Sequence, residues 1–170
     1  VDALKEGELI VYPTDTLYGL GCDIFNKTAI EKIYALRKMD RKKPLSFICH
    51  DFSQIAEYAK ISNYVYKVMK SILPGPYTIV LPATNKVPKM LVTKQKTVGI
   101  RIPDNEFALA LVKEFGGPII STTLTSDDQI AISDPDAIHE LYKTQIKYVF
   151  SSGISASEPS TVIEIKDGEI

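Results

Sequence analysis

Short apolar runs alternate along this chain with longer stretches in which apolar residues recur at helical spacing. The first apolar run predicts a buried strand over 8–12. Further strands are predicted over 45–49, 77–81, 97–102, 119–122, 146–150 and 161–165. Because strands and helical segments interleave, we expect an α/β fold (α+β in some schemes), with an open, twisted, mixed β-sheet and flanking helices.

Capping and breaking residues predict where the helices begin and end. Thr28 and Glu31 have the spacing of a capping box, which predicts a helix that carries Arg37 at its C-terminal end. Three more helical segments follow: 51–73, interrupted near 61–63; one from a cap at 104 or 105 to Gly116; and one from 133–135 to Tyr142.

Length and composition are ordinary for one globular domain, which we place at 1–170. The chain has 170 residues, 45% of them apolar and 24% charged, with a formal net charge of −1 at pH 7. That charge excludes a globally basic nucleic-acid binder. There is no apolar run of the ~18–20 residues that a membrane helix needs. The first residues include neither Met nor a signal sequence, so we expect a cytoplasmic protein with a few residues missing at both ends.

Cysteine and histidine usage gives no sign of a metal site. Cys22 and Cys49 are too few for a disulfide framework, and they lack ligand spacing, so we expect reduced, partly buried thiols. His50 and His139 stand alone, so no zinc site built by the protein is expected.

Six motifs accompany the predicted strands. The first, YPTDTLYGLG (12–21), ends a strand in hydroxyls, a carboxylate and glycines, which suits a small-molecule pocket or, equally, a structural turn. The others are RKMDRKKPL (37–45), PGPYTIVL (74–81), VGIRIP (98–103) with GPIISTT (117–123), and PSTVI (159–163). Because the chain has neither a P-loop nor a Rossmann glycine pattern, any nucleotide must be held differently.

From the residues alone, most of the charged and hydroxyl positions have two interpretations. The five cations of 37–43 suit either a solvated helix end or a phosphate site. Arg101, in an otherwise apolar strand, suits either a structural ion pair or a carboxylate site. The hydroxyls of 121–125 can form an anion-binding concavity. Ser160 is either a strand-entry hydroxyl or a ligand contact.

Together and in this order, the motifs resemble the YrdC/YciO family over nearly the whole chain. The resemblance implies a YrdC/RibB-like fold and synthesis of threonylcarbamoyl-adenylate from threonine, bicarbonate and ATP for tRNA modification. By the same resemblance, one group of residues lies near threonine, namely Thr16, Arg101, Thr122 and Ser160. A second group lies near the nucleotide, namely Arg37, Lys43, Thr123 and Thr125. The implied catalytic residues are Arg37, Lys43 and Arg101, and Mg²⁺ is expected to accompany ATP through its phosphates.

Two positions depart from the pattern of the catalytic members. Their K-x-R falls on Arg37 and Met39, and their S-x-N falls on Thr123 and Thr125, so a charge and an amide donor are missing. This pattern resembles the YciO branch. The alternative is therefore a protein that binds nucleotide, double-stranded RNA or tRNA without efficient synthesis. Its phosphate contacts would come from the 37–43 run and from Lys86, Lys89, Lys94 and Lys96.

Overall fold

A computed structural model describes residues 1–156, 158–166 and 168–170. The described residues form one mixed sheet of eight strands in the order β7-β1-β2-β6-β3-β5-β4-β8. The strands are β1 (Ile10–Tyr12), β2 (Gly19–Gly21), β3 (Ser46–Ile48), β4 (Tyr77–Pro82), β5 (Thr97–Arg101), β6 (Ile119–Thr123), β7 (Tyr148–Val149) and β8 (Thr161–Glu164). Parallel pairs join β1 to β7, β3 to β5 and β4 to β8, and the other neighbours are antiparallel. The predicted mixed sheet is confirmed.

Six α-helices occur among the described residues, and most begin at a side-chain cap. They are α1 (Asp2–Lys5), α2 (Lys27–Leu36), α3 (Phe52–Tyr58), α4 (Asn63–Ile72), α5 (Glu106–Phe115) and α6 (Pro135–Tyr142). A single 3₁₀ turn over Lys89–Leu91 interrupts the loop between β4 and β5. The predicted interruption near 61–63 is confirmed, because the Ser62 side chain accepts a hydrogen bond from Val65 N and starts α4. Gly116, at φ +83°, ends α5 as predicted.

The predicted start of α2 is wrong. Asn26 rather than Thr28 caps this helix, since the Asn26 side chain accepts a hydrogen bond from Ala29 N at 2.9 Å. Asparagine caps a helix at least as well as threonine, and its position two residues earlier leaves Thr28 inside the first turn. The buried face is as expected, because Ile30 and Ile33 are both fully buried.

Strand β2 was not anticipated from the sequence, and a tyrosine explains why it is rich in glycine. The Tyr12 hydroxyl donates to Ile120 O at 2.9 Å, so its ring crosses beneath β2 towards β6. A Cβ at Gly19 would lie 2.8 Å from the Tyr12 ring, and one at Gly21 would lie 2.5 Å from Ile120 O. The glycines of the first motif therefore permit close packing of β1, β2 and β6.

Helices cover both faces of the sheet. The α5 residues Ala108, Leu111 and Val112 pack with Ile10 and Ile119 in the smaller of two buried clusters. The larger cluster contains the buried face of α2 together with Cys22 and Cys49. Both thiols are free and fully buried, deeper than expected, and burial raises the pKa of each.

None of the described helices combines the length and apolar character needed to cross a membrane.

Candidate active site

A cavity of about 430 Å³ opens where β2, β4, β5 and β6 meet the residues that enter β8. Arg101 is the charged residue among its described lining residues, and hydroxyl groups make up most of the polar remainder. The hydroxyl-bearing lining residues are Thr16, Tyr18, Ser46, Thr78, Thr93, Thr97, Ser121, Thr122, Thr123 and Ser160. One cation surrounded by neutral hydrogen-bonding groups suits a small polar anion.

Strand alternation determines which side chains face the cavity. On β5, Thr97, Gly99 and Arg101 line the cavity, whereas Val98 and Ile100 are buried in the core. Successive side chains of a strand point to opposite faces, so these alternate positions share one face. The same rule brings a threonine and a valine of β4 into the cavity, at 78 and 80.

Arg101 is held by a network of contacts from two loops. Its Nη1 donates to Thr16 Oγ1 at 2.9 Å, its Nε donates to Gly75 O at 3.3 Å, and its Nη2 pairs with the Asp15 carboxylate. Only 5% of Arg101 is exposed. Burial lowers the pKa of this guanidinium, and the neighbouring charge of Asp15 opposes that effect. The structural ion pair predicted for Arg101 is therefore present, and the same guanidinium lines the cavity.

The four residues that the resemblance places near threonine all line this cavity. Thr16 and Arg101 are buried and hydrogen-bonded to each other. Thr122 lies on β6 opposite Leu20 of β2. Ser160 Oγ is 2.8 Å from Thr78 Oγ1. Residues far apart in the sequence are thus gathered at one place.

The residues that the resemblance places near the nucleotide are less concentrated. Of this group, Thr123 lines the cavity, whereas Arg37, Lys43 and Thr125 lie outside its described lining. Arg37 Nη1 donates to Thr123 O and lies 3.4 Å from Thr125 Oγ1, so it holds the chain that follows β6. Arg37 Nε is buried with no hydrogen-bond partner among the described residues, and burial lowers the pKa of the guanidinium. Lys43 is exposed.

Two further cations of the 37–43 run contact carboxylates on the surface. Lys38 pairs with Asp127 at 2.9 Å, and Arg41 lies 3.6 Å from Glu31. Lys38 and Asp127 are largely exposed, and the Lys38 contact lowers the pKa of Asp127. Met39 instead packs against the hydrophobic core. A partly buried thioether at this position supplies no charge for a phosphate.

Several residues that line the cavity were not singled out in the sequence analysis. Alternate side chains of a strand share a face, so Gly99 and Thr97, two and four residues before Arg101, could have been expected beside it. Thr78 could not, because its place beside Ser160 depends on the pairing of β4 with β8, which the sequence does not reveal. Tyr18 was likewise missed; its hydroxyl donates to Gly153 O and accepts from Ser152 N, which connects the cavity wall to the chain before β8.

Fold and cavity define an α/β protein with a hydroxyl-lined cavity, containing one arginine, at one face of a mixed sheet. The Sua5/YciO/YrdC family model, described as "Telomere recombination", matches residues 2–170. The chain therefore belongs to the Sua5/YciO/YrdC family, as its motifs predicted.

Two curated relatives represent different branches of this family. The chain is 36% identical to the uncharacterized protein YciO of Escherichia coli K12 over 169 residues, which cover 98% of the chain and 82% of YciO. It is 29% identical to the threonylcarbamoyl-AMP synthase of Vibrio vulnificus YJ016 over 170 residues, covering 98% of the chain and 90% of the synthase.

Solved structures confirm the fold. The crystal structure of E. coli YciO matches with a TM-score of 0.91 at 35% identity, covering 98% of this chain and 82% of that one. P. abyssi Sua5 complexed with L-threonine matches with a TM-score of 0.90 at 28% identity, covering 96% of this chain and 49% of Sua5. The chain is thus similar both to YciO and to about half of a threonine-bound Sua5.

Proposed function

We propose that the chain is a threonylcarbamoyl-AMP synthase-like nucleotidyltransferase, acting in the cytoplasm on threonine, bicarbonate and ATP for tRNA modification. The observation that carries this proposal is the convergence of Thr16, Arg101, Thr122 and Ser160 on one cavity. The name of the V. vulnificus relative and the threonine in the P. abyssi Sua5 complex support it.

Arg101 is the proposed contact for the threonine carboxylate. A guanidinium has five N–H groups, and Thr16, Asp15 and Gly75 engage one on each nitrogen. One N–H on each terminal nitrogen therefore remains for the two oxygens of a carboxylate. Because Asp15 and Thr16 fix the guanidinium before a ligand arrives, little side-chain freedom is lost on binding.

The proposed reaction requires alignment and charge neutralisation rather than a histidine. The threonine nitrogen bonds to the bicarbonate carbon with loss of water, and a carbamate oxygen then attacks the α-phosphorus of ATP as pyrophosphate leaves. Arg37, Lys43, Thr123 and Thr125 are the proposed nucleotide contacts. The described residues contain no group of three carboxylate, histidine or cysteine side chains placed to hold a metal ion. We therefore assign Mg²⁺ to the phosphates of ATP.

The test is a reconstitution with defined components. The protein is incubated with ATP, threonine and bicarbonate, and threonylcarbamoyl-AMP is measured by mass spectrometry. We expect the product only when all three substrates are present. Arg101→Ala should abolish most of it, whereas Lys147→Ala, which alters an exposed side chain just before β7, should leave it unchanged. Equal yields from both variants would contradict the proposal.

The alternative is a YciO-type protein that binds nucleotide or double-stranded RNA without efficient synthesis. Met39 and Thr125 are its motivation, since neither supplies the group found in the catalytic pattern. No contact among the described residues favours RNA in particular, and Lys86 already pairs with Glu57 at 3.3 Å. ATP binding without any adenylate in the reconstitution would favour this alternative.

A further inference from the structure

Ser160 projects into the cavity from a weakly supported position. It precedes β8, which lies at one edge of the sheet and pairs only with β4 among the described strands. Thr161 and Val162 are exposed, and Val162 retains 65% of its accessible surface. The backbone is fixed by the hydrogen bond from Thr161 N to Pro76 O at 2.9 Å. Packing therefore does little to fix the Ser160 side chain.

Thr78 supplies the contact that packing does not. Its Oγ1 lies 2.8 Å from Ser160 Oγ. Within the described residues, neither hydroxyl makes another hydrogen bond. The Thr78 methyl group points the other way, because a Cβ added to Gly99 on β5 would lie 3.3 Å from it. Thr78 thus places its methyl group towards β5 and its hydroxyl towards β8.

Burial favours one direction for this hydrogen bond. Each hydroxyl has one proton, and only one of the two protons can lie between the oxygens. Thr78 is 6% exposed, whereas Ser160 is partly exposed. If Ser160 were the donor, the Thr78 proton would have to find an acceptor from a nearly buried position on the cavity wall, which is less favourable than the reverse arrangement. If Thr78 is the donor, the Ser160 proton is free to point into the cavity, where water or a ligand can accept it.

We propose that Thr78 is a positioning residue that donates its hydroxyl proton to Ser160 and so presents Ser160 as a hydrogen-bond donor to a carboxylate or carbamate oxygen. The identity of that ligand rests on the proposed function. A carboxylate or carbamate oxygen accepts the proton that Ser160 presents to the cavity, so we place an oxygen of the amino acid beside Ser160.

Calorimetric titration of L-threonine into four variants tests the consequence. Thr78→Val keeps the shape but removes the hydroxyl, and we expect threonine to bind about fivefold to tenfold more weakly, with ATP affinity changed less than about twofold. Thr78→Ser keeps the hydroxyl and should bind within about twofold of the unaltered protein. Because Thr78 acts through Ser160, Thr78→Val combined with Ser160→Ala should bind no more weakly than Ser160→Ala alone. Additive losses, or an unchanged affinity in Thr78→Val, would overturn the proposal.

Neutron diffraction of the unaltered protein tests the direction without any ligand. We expect a deuterium on Thr78 Oγ1 between the two oxygens and a second on Ser160 Oγ directed into the cavity. A deuterium on Ser160 Oγ between the oxygens would overturn the inference, whatever the ligand. Failure of the unaltered protein to bind threonine would instead contradict the proposed function, while the neutron map would still decide the role of Thr78.

Discussion

The proposed threonine contacts and the proposed nucleotide contacts are built differently. We call the first group, Thr16, Arg101, Thr122 and Ser160, the amino-acid half, and the second, Arg37, Lys43, Thr123 and Thr125, the nucleotide half. Arg101 and Thr122 belong to strands, and Arg101 is fixed by Asp15, Thr16 and the Gly75 carbonyl. In the nucleotide half, Arg37 caps the end of α2, and its Nη1 donates to Thr123 O and lies 3.4 Å from Thr125 Oγ1. The amino-acid half lines one cavity, whereas in the nucleotide half Thr123 alone belongs to the described lining.

This difference shows what a sheet can organise in advance. Side chains on paired strands have fixed directions and neighbours, so a pocket on the sheet face exists before the ligand arrives. A side chain at a helix end or in a loop has other partners available. We therefore expect the amino-acid half to bind its ligand with little rearrangement, whereas Arg37, Lys43 and Thr125, which lie outside the described lining, are expected to rearrange when ATP binds.

The largest expected effect comes from completing the nucleotide half. Met39→Arg combined with Thr125→Asn restores the charge and the amide of the catalytic pattern. Two transition-state contacts of ~2 kcal/mol each would raise the rate of adenylate formation up to about 10²–10³-fold. Pyrophosphate release measures this rate, and Met39→Leu with Thr125→Ser is the matched control. A double variant no faster than the unaltered protein would show that these departures do not limit activity.

The second largest expected effect is a loss of threonine affinity caused by a change in the amino-acid half alone. Arg101→Ala should weaken threonine binding by about 1.5–3 kcal/mol, roughly 10–150-fold, because it removes a charge-assisted contact with the carboxylate. ATP affinity should remain within about threefold, since Arg101 lies in the other half. Calorimetric titration with threonine and with ATP measures both affinities in the variant and in the unaltered protein.

Arg101→Ala also breaks the ion pair with Asp15, so a control must separate lost stability from lost binding. Removing one partner of a buried pair leaves the other uncompensated and destabilises the fold. Arg101→Ala with Asp15→Ala removes both charges, so thermal unfolding of the single and double variants separates stability from binding. If threonine binds the folded Arg101→Ala variant as tightly as the unaltered protein, Arg101 is structural alone.

The smallest expected effect on the site comes from the loop before β5. Thr93, Gln95 and Thr97 line the cavity, whereas the intervening Lys94 and Lys96 are exposed and outside its described lining. Replacing Lys86, Lys89, Lys94 and Lys96 with Gln should therefore leave ATP affinity within about threefold. If the protein binds duplex RNA through this loop, the log–log salt slope should flatten by up to ~3–4. A collapse of ATP binding would place the loop inside the nucleotide half.

The sequence predicted the placement of Arg101 better than that of Arg37 and Lys43, for a physical reason. Arg101 stood out because a charge in an apolar strand needs a partner, and alternation fixed the face it occupies. The contacts of Arg37 depend on the path of the chain after Thr123, and the exposure of Lys43 depends on a loop, so neither follows from periodicity. Strand β2 escaped notice because its glycines have meaning only beside the Tyr12 ring.

The central claim is that the amino-acid half is a preformed threonine site, and nuclear magnetic resonance tests it most directly. L-threonine is titrated without ATP into the ¹⁵N-labelled protein, and the amide shifts are mapped. We predict saturable changes concentrated at Thr16, Gly99, Arg101, Thr122 and Ser160, with little change in α2. Saturable changes centred elsewhere, or no change at threonine concentrations that saturate a synthase, would contradict the account.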